Sequence, residues 1–413
     1  MTPEDATARA AALDAADPLA PMADLFHLPE GILYLDGNSL GPAPKAALEE
    51  IKTAAHTEWA EWLITSWNRA GWFETPTAYG DILAPVIGAG PGEVVAVDNT
   101  TVNLYKATGH ALAVQEGRTV LLTQGHNFPT DLHVQLGYVR ASGGRLSMRT
   151  VTTEDEAVAA MDESVALASF SLVDYKSGDR WDMARVNAAA REKGVLVLWD
   201  ASHAAGAVPI DAHGTGADYI VICGYKYLCT GPGGPAFIYV RPDLAGEAWP
   251  PLCGWMGHQD IYAFSGDYVP HEGIKRFISG TPMVGANEIA RSAAEIYSQV
   301  TPEDLWAKHA SLAAFLIEAL EAECGTLGVE VTSPRDPARQ GGQVSFRAPG
   351  AGHVVEALIE AGVVSSFRKP DSIRFGLSPL ALSHGDLLTA VGRLKEILET
   401  ERWRDPKFAE VSV

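Results

Sequence analysis

Cysteine is scarce in this chain: four in 413 residues, Cys223, Cys229, Cys253 and Cys324. They form no C-x-x-C pair and fit no Cys/His metal spacing, so a disulfide framework and a structural zinc site are both excluded and the thiols read as reduced. Cys223 falls inside an apolar run and is expected in the core. No apolar run reaches the ~20 residues that cross a bilayer. The first residues lack a basic start followed by an apolar stretch, so no secretory signal is expected and a cytoplasmic location is the default. Basic residues are the minority, 31 against 52 acidic ones, which leaves a net charge of −21. Such a surface repels phosphate backbones, so a nucleic-acid partner is not expected, though a local site can still hold a small anion. Several motifs are also missing. Leu228-Cys-Thr-Gly-Pro-Gly-Gly234 lacks the G-K-[ST] ending of a nucleotide loop. Gly214-Thr-Gly216 lacks a third glycine and precedes a strand, and there is no G-x-S-x-G elbow. Internal repeats and low-complexity linkers are absent as well.

What is present is an alternation of apolar β-type runs and helical stretches. Residues 1–30 predict a short helix and a proline-broken connector. Ile32–Leu35 predicts a short strand before the turn Asp36–Pro42. A helix is expected from about Pro44 to Trp67, burying Trp59, Trp62, Leu63 and Trp67 by their helical spacing. Val94–Val97, Val120–Leu122, Leu146–Thr150, Ala166–Ser171, Val195–Trp199, Tyr219–Cys223 and Ala236–Val240 read as strands. Between several of them lie helical stretches over Val102–Gln115, Asp131–Arg140, Glu154–Asp162 and Asp182–Lys193. That order predicts an α/β fold: a mostly parallel sheet with helices on both faces. After about residue 285 the pattern changes. A helix runs from Asn287 to about Gln299. Thr301-Pro-Glu-Asp304 starts another that continues to about Glu323. Strand-like Val329–Thr332, Gln343–Phe346 and Ser372–Phe375 then alternate with helices near His353–Ala361 and Gly385–Thr400, a smaller α+β domain.

The chemistry concentrates at two strand ends. Val195–Trp199 runs into Asp200 and then His203; Asp218–Cys223 runs into Tyr225 and Lys226. Ligands of open α/β sheets bind at strand ends. Most lysines are solvated surface groups, but one held at such an end can form a Schiff base with an aldehyde cofactor. An acid beside it can keep that cofactor's pyridine nitrogen protonated, which points to pyridoxal phosphate. Asp200 could equally cap the next helix, and His203 could be a hydrogen-bonded buried ring. Thr100 and Thr101 open a helix after Val94–Val97, where hydroxyls and amides suit a phosphate or merely cap. Phe128, followed by Pro129-Thr-Asp131, could lie over a planar ring or be an ordinary loop residue. Arg374, in a short strand, suits a carboxylate or a surface ion pair.

Seven segments, taken together and in order, resemble the kynureninases, a family of fold-type I pyridoxal-phosphate enzymes near the cysteine desulfurases. They are Tyr34-Leu-Asp-Gly-Asn-Ser-Leu-Gly41, Thr101-Val-Asn-Leu104, Phe128-Pro-Thr-Asp131, Asp200-Ala-Ser-His-Ala-Ala-Gly206, Gly224-Tyr-Lys-Tyr-Leu228, Cys253-Gly-Trp-Met-Gly-His258 and Arg374-Phe-Gly-Leu-Ser-Pro379. The resemblance implies hydrolysis of L-kynurenine to anthranilate and L-alanine, in tryptophan catabolism. It implies that Lys226 holds the cofactor and shuttles the α-proton, that Asp200 pairs with the ring nitrogen and that Phe128 stacks on the ring. Thr100, Thr101 and Tyr225 would meet the phosphate, and Ser171, Asp131 and His203 would line the cofactor. Tyr225 would also be an acid in the later proton transfers. Arg374 would hold the substrate's α-carboxylate, with Ser39 beside it. Trp255 and Thr281 would reach the phosphate of a partner subunit, which implies a homodimer with shared sites. Ser279-Gly-Thr-Pro282 has no Asn where animal members carry one at the substrate's aromatic end. That leaves the preference between kynurenine and 3-hydroxykynurenine open, the bacterial-type pattern leaning slightly to kynurenine, with Trp62, Trp67 and Trp72 as candidates for the aryl pocket. Three units are expected: an N-terminal segment 1–50 packing with the small domain, a cofactor domain 51–290 and a small domain 291–413.

Two other readings compete. A cysteine desulfurase or selenocysteine lyase on the same fold would need a reactive Cys on a mobile loop of the small domain. Cys324, at a helix end, is the one candidate and a poor match. A catalytically silent binding protein of the same fold would have no need to keep Lys226, Asp200 and Arg374 together.

Overall fold

The computed structural model describes residues 3–410. Its centre is a seven-stranded sheet of β1 (Val94–Val97), β2 (Val120–Gln124), β3 (Ser147–Val151), β4 (Val165–Ser171), β5 (Leu196–Asp200), β6 (Tyr219–Ile222) and β7 (Ala236–Val240). The spatial order is β1-β7-β6-β5-β4-β2-β3, and only β7 runs against its neighbours. β1 opposes β7, which opposes β6, so β1 points the same way as the parallel strands. Every residue of β1, β2, β4, β5, β6 and β7 is buried. Continuous apolar runs are what a sheet covered on both faces requires. Alternate residues feed two separate cores: Phe170, Trp199, Ile220 and Phe237 on one face, Leu167, Leu198, Tyr219 and Ile238 on the other.

A further core lies in the C-terminal part. A four-stranded antiparallel sheet, in the order β8 (Glu330–Val331), β9 (Gln343–Arg347), β11 (Ser372–Gly376), β10 (Ser366–Arg368), packs with helices Pro302–Cys324, Ala351–Glu360 and His384–Glu399. Thr301 caps the long helix by accepting from Asp304 N, as its sequence predicts. N-terminal residues Ala10 and Leu35 belong to this core. Leu33–Tyr34 pairs in parallel with Val363–Val364. Asp14 accepts from the His384 and Gly385 amides, and Lys308 pairs with Asp17.

One expectation fails. The helix from Pro44 to Trp67 is not continuous. It runs as α-helix over Lys45–Thr53, widens to a π-helix over Ala54–Trp59, breaks, and resumes as short turns over Leu63–Thr65 and Ser66–Arg69. Leu63 adopts φ 52°. A π-turn takes an extra residue per turn and rotates the next residues off the buried face. Trp59 is therefore 70% exposed and Leu63 62%, while Glu58 is buried and accepts a hydrogen bond from Trp72 Nε1 at 3.0 Å. Trp62 and Trp67 are half-buried.

Candidate active site

The C-terminal ends of β1, β5 and β6 open on one cavity of about 210 Å³, lined on its far side by Arg368 and Arg374 of the small domain. Lys226 stands four residues past β6, with its Nζ 5.8 Å from the centre of the Phe128 ring. Asp200 closes β5; its Oδ1 accepts from Ser202 N at 2.8 Å. The Asp36–Pro42 turn presses onto the lysine's backbone, and Gly41 N donates to Tyr225 O at 2.8 Å. A Cβ on Gly41 would sit 2.2 Å from Lys226 O, so only glycine allows that approach.

Past β1, Asp98 takes the left-handed conformation, φ 49°. It is pinned by Lys106 Nζ at 2.7 Å and Ser279 Oγ at 2.9 Å. The turn delivers Thr100 and Thr101 to the start of helix Thr100–Val114, whose cap is neither threonine but Asn99. The threonine hydroxyls are thus free of capping duty and line the cavity.

The large-domain wall carries unspent polar capacity. Both carboxylate oxygens of buried Asp131 lack a hydrogen-bond partner, and so does Nδ1 of His203. Burial, and then the neighbouring Asp200 charge, push the Asp131 pKa well above the usual carboxylate range, against a smaller pull from Lys226. Burial, then the cations Lys226, Arg374 and Arg368, hold His203 neutral. Tyr225 keeps its proton: the Cys223 thiol, burial and Asp200 all raise its pKa.

The small-domain wall is Arg374, on β11 and 1% exposed. Its hydrogen-bond acceptors are all neutral: Ser366 Oγ from Nε at 3.1 Å and Nη2 at 2.9 Å, Tyr175 O from Nη1 at 2.6 Å, Ser39 Oγ from Nη2 at 3.0 Å. Burial, and then the Arg368 charge, bring its pKa down to about 10.

Lys226, Asp200, Tyr225, Thr100, Thr101, Phe128, Asp131, His203, Arg374 and Ser39 all line this cavity. Ser171 stands behind the wall, with its Oγ 2.5 Å from Asn127 Oδ1 and its amide on Gln124. Trp255 and Thr281 are not on the wall of their own chain's cavity; Trp255 is 41% exposed and edge-on to Phe73 at 6.4 Å. Trp62, Trp67 and Trp72 are also elsewhere. Trp67 packs with Trp72 and Phe73, and Arg69 covers Trp62 at 4.0 Å. Asn38, Tyr175 and Arg368 line the cavity without a sequence signal of their own, although Asn38 lies inside the Tyr34–Gly41 motif.

Comparison with known proteins decides the family. Kynureninase from Pseudomonas fluorescens is 39% identical over 401 residues, 96% of each chain, and that from Burkholderia pseudomallei 38% identical over 404 residues, 97% of each. The chain belongs to the kynureninase family. The model of the kynureninase C-terminal domain matches residues 305–394. A cysteine desulfurase from Thermococcus onnurineus superposes with a TM-score of 0.76 over 92% of this kynureninase-family chain and 98% of its own, at 19% identity. The lyase C-DES, with glycine covalently linked to its PLP cofactor, gives 0.74 over 89% and 97%, at 20% identity. At these identities the likeness speaks for the fold alone, the fold-type I architecture.

Pyridoxal phosphate is the cofactor of this family member, and the kynureninase cavity fits it. A lysine amine stands beside a ring-sized aromatic face, a buried acid ends the central strand, and Asp131 and His203 offer polar atoms that no described residue satisfies. The desulfurase reading loses its nucleophile: Cys324 is fully buried, and burial pushes its thiol up to about 12.

Proposed function

We propose that the cavity carries out the family's reaction, hydrolysis of L-kynurenine to anthranilate and L-alanine. The observation that carries the reading is the convergence of Lys226, Asp200 and Arg374 on one cavity from two separate cores. When bound, the cofactor supplies an electrophilic aldehyde and a ring that draws electron density from the substrate. Lys226 Nζ would hold the aldehyde carbon and later carry the α-proton. The Asp200 carboxylate would pair with the ring nitrogen, and Phe128 would cover one face. Thr100, Thr101 and Tyr225 would bind the phosphate, where helix Thr100–Val114 turns its positive end. Asp131 would donate from a protonated carboxyl, and neutral His203 can donate or accept at the cofactor's rim. Ser171 would act through Asn127.

Arg374 would pair with the α-carboxylate through its charge and the one N–H left on Nη1, with Ser39 beside it. Its four bonds to neutral acceptors fix the fork before substrate arrives. Tyr225, which keeps its proton at neutral pH, would donate it as the carbon–carbon bond breaks.

The same reading includes a homodimer in which Trp255 and Thr281 complete the partner's phosphate site. Exposed Trp59, Ile64, Trp255, Tyr262 and Phe264 supply apolar surface for a second copy. It also includes the division 1–50, 51–290 and 291–413; the C-terminal core, which draws on Ala10 and Leu35 together with residues 312–408, supports it.

The test is anthranilate fluorescence after L-kynurenine is added to the cofactor-loaded protein, with 3-hydroxykynurenine followed by absorbance alongside. Rapid anthranilate release with slower 3-hydroxykynurenine turnover is expected; no release from either substrate would end the reading. Sedimentation of the same sample should give the dimer mass.

A further inference from the structure

Arg374 is held from the small domain by Ser366 and from the large domain by one backbone atom, the Tyr175 carbonyl. That carbonyl has a second donor. Gln343 Nε2, on β9 and 2% exposed, reaches Tyr175 O at 3.0 Å. Gln343 Oε1 accepts from Asn38 Nδ2 at 2.8 Å. One buried amide therefore joins the support of Arg374 to the Asn38 turn.

The backbone around it is wedged. Gly342 O accepts from the Tyr227 hydroxyl, next to Lys226. A Cβ on Gly341 would meet Val173 at 2.3 Å, and one on Gly342 would meet the Tyr227 ring at 2.7 Å. The segment before β9 is tied to the turn bridged at Val173 and Arg180 by Gly341 N donating to Gly178 O at 2.7 Å, which sets the depth at which Gln343 is delivered.

We propose that Gln343 is a positioning residue that sets the Arg374 fork for the substrate's carboxylate. It does so by locking the carbonyl that both side chains share. A carbonyl oxygen has two lone pairs, so Arg374 Nη1 and Gln343 Nε2 bind it together, and the two donors fix its direction. Without Gln343 the carbonyl is free to swing, and the fork loses its one anchor on the large domain. The proposal rests on the kynureninase reading only for the identity of the ligand.

The test uses the cofactor-loaded enzyme and L-alanine as the carboxylate probe, with binding read from the absorption of the bound cofactor. Gln343→Leu should weaken L-alanine and raise KM for L-kynurenine by about tenfold, the weight of one hydrogen bond to a charged group's support, with kcat changed far less. Gln343→Asn, whose amide falls one methylene short, should show a smaller loss in the same direction. Ser345→Ala is the control. It removes bonds in the same buried cluster, to Lys176 O and from Gln343 Nε2, but none to the Tyr175 carbonyl. It should leave L-alanine affinity unchanged. Unchanged affinity in folded Gln343→Asn or Gln343→Leu overturns the proposal. So does an equal loss in Ser345→Ala, or failure of both Gln343 variants to fold, since each makes the role structural. Absence of L-alanine binding and of turnover in the unaltered enzyme would instead reject the kynureninase reading.

Discussion

The two walls of the cavity handle polar groups in opposite ways. On the large-domain side, Asp131 and His203 are buried with atoms left unsatisfied. On the small-domain side, Arg374 is just as buried yet makes four hydrogen bonds. Leaving a buried polar atom unpaired costs about 1–3 kcal/mol, a cost that a group bound at the first wall would offset. The second wall has its orientation fixed in advance and awaits a charge. The first suits a resident group that stays; the second suits a ligand that comes and goes.

The largest effect should come from the first wall. Lys226→Ala should lower turnover by at least about a thousandfold, from loss of both the attachment point and the proton carrier. Borohydride reduction followed by peptide mass spectrometry should show the cofactor fixed to Lys226 in the unaltered enzyme and to nothing in the variant. A modified Lys226→Ala peptide map would put the attachment elsewhere.

Next comes the second wall. Arg374→Lys keeps the charge but not the fork, and should raise KM for L-kynurenine on the order of 10- to 100-fold, with a smaller change in kcat. If kcat falls instead while KM holds, Arg374 acts on the transition state and the contrast between the walls breaks.

Asp131 sharpens the comparison. Its raised pKa makes the neutral carboxyl the favoured form. Asp131→Asn, neutral and polar, should keep cofactor affinity within about threefold, while Asp131→Leu should weaken it about tenfold. Equal losses in the two variants, measured by equilibrium dialysis of the cofactor, would mean that a charged Asp131 is what the cofactor needs.

A pH-dependent effect, on stability and not on turnover, lies behind the second wall. His309 is fully buried against the Gly342 backbone, and burial lowers its pKa from 6.5 to about 4. The unfolded chain binds a proton there first, so this contribution to stability is complete above pH 6.5 and is lost as pH falls from 6.5 towards 4. That is about 3 kcal/mol at most. His309→Leu should show a shallower loss of stability between pH 7.5 and 4.5 in urea denaturation; parallel pH slopes would rule the histidine out.

The sheet was readable because its strands are unbroken apolar runs ending in polar residues, and β1, β2 and β4–β7 fall within one or two residues of expectation. Residues that sit at strand ends, Asp200 and Lys226, were legible for the same reason. The tryptophan-rich segment was not. Helical spacing puts Trp59 and Leu63 on one face only if the helix keeps its period, and the π-turn at Ala54–Trp59 removes that condition. Gln343 and Tyr175 carried no signal either. One acts through an amide inside an ordinary strand pattern, the other through a backbone carbonyl, which every residue has.

The sequence by itself therefore determined the α/β class, the kynureninase resemblance and the chemistry-bearing side chains, because periodicity and residue type are local properties. The tertiary structure alone decided that Asp131 stays unpaired, that Arg374 is anchored on Tyr175, and that Ser171 and Trp255 stand off the cavity wall. Those facts depend on which distant segments meet and on how much water their meeting excludes, and no local pattern records that.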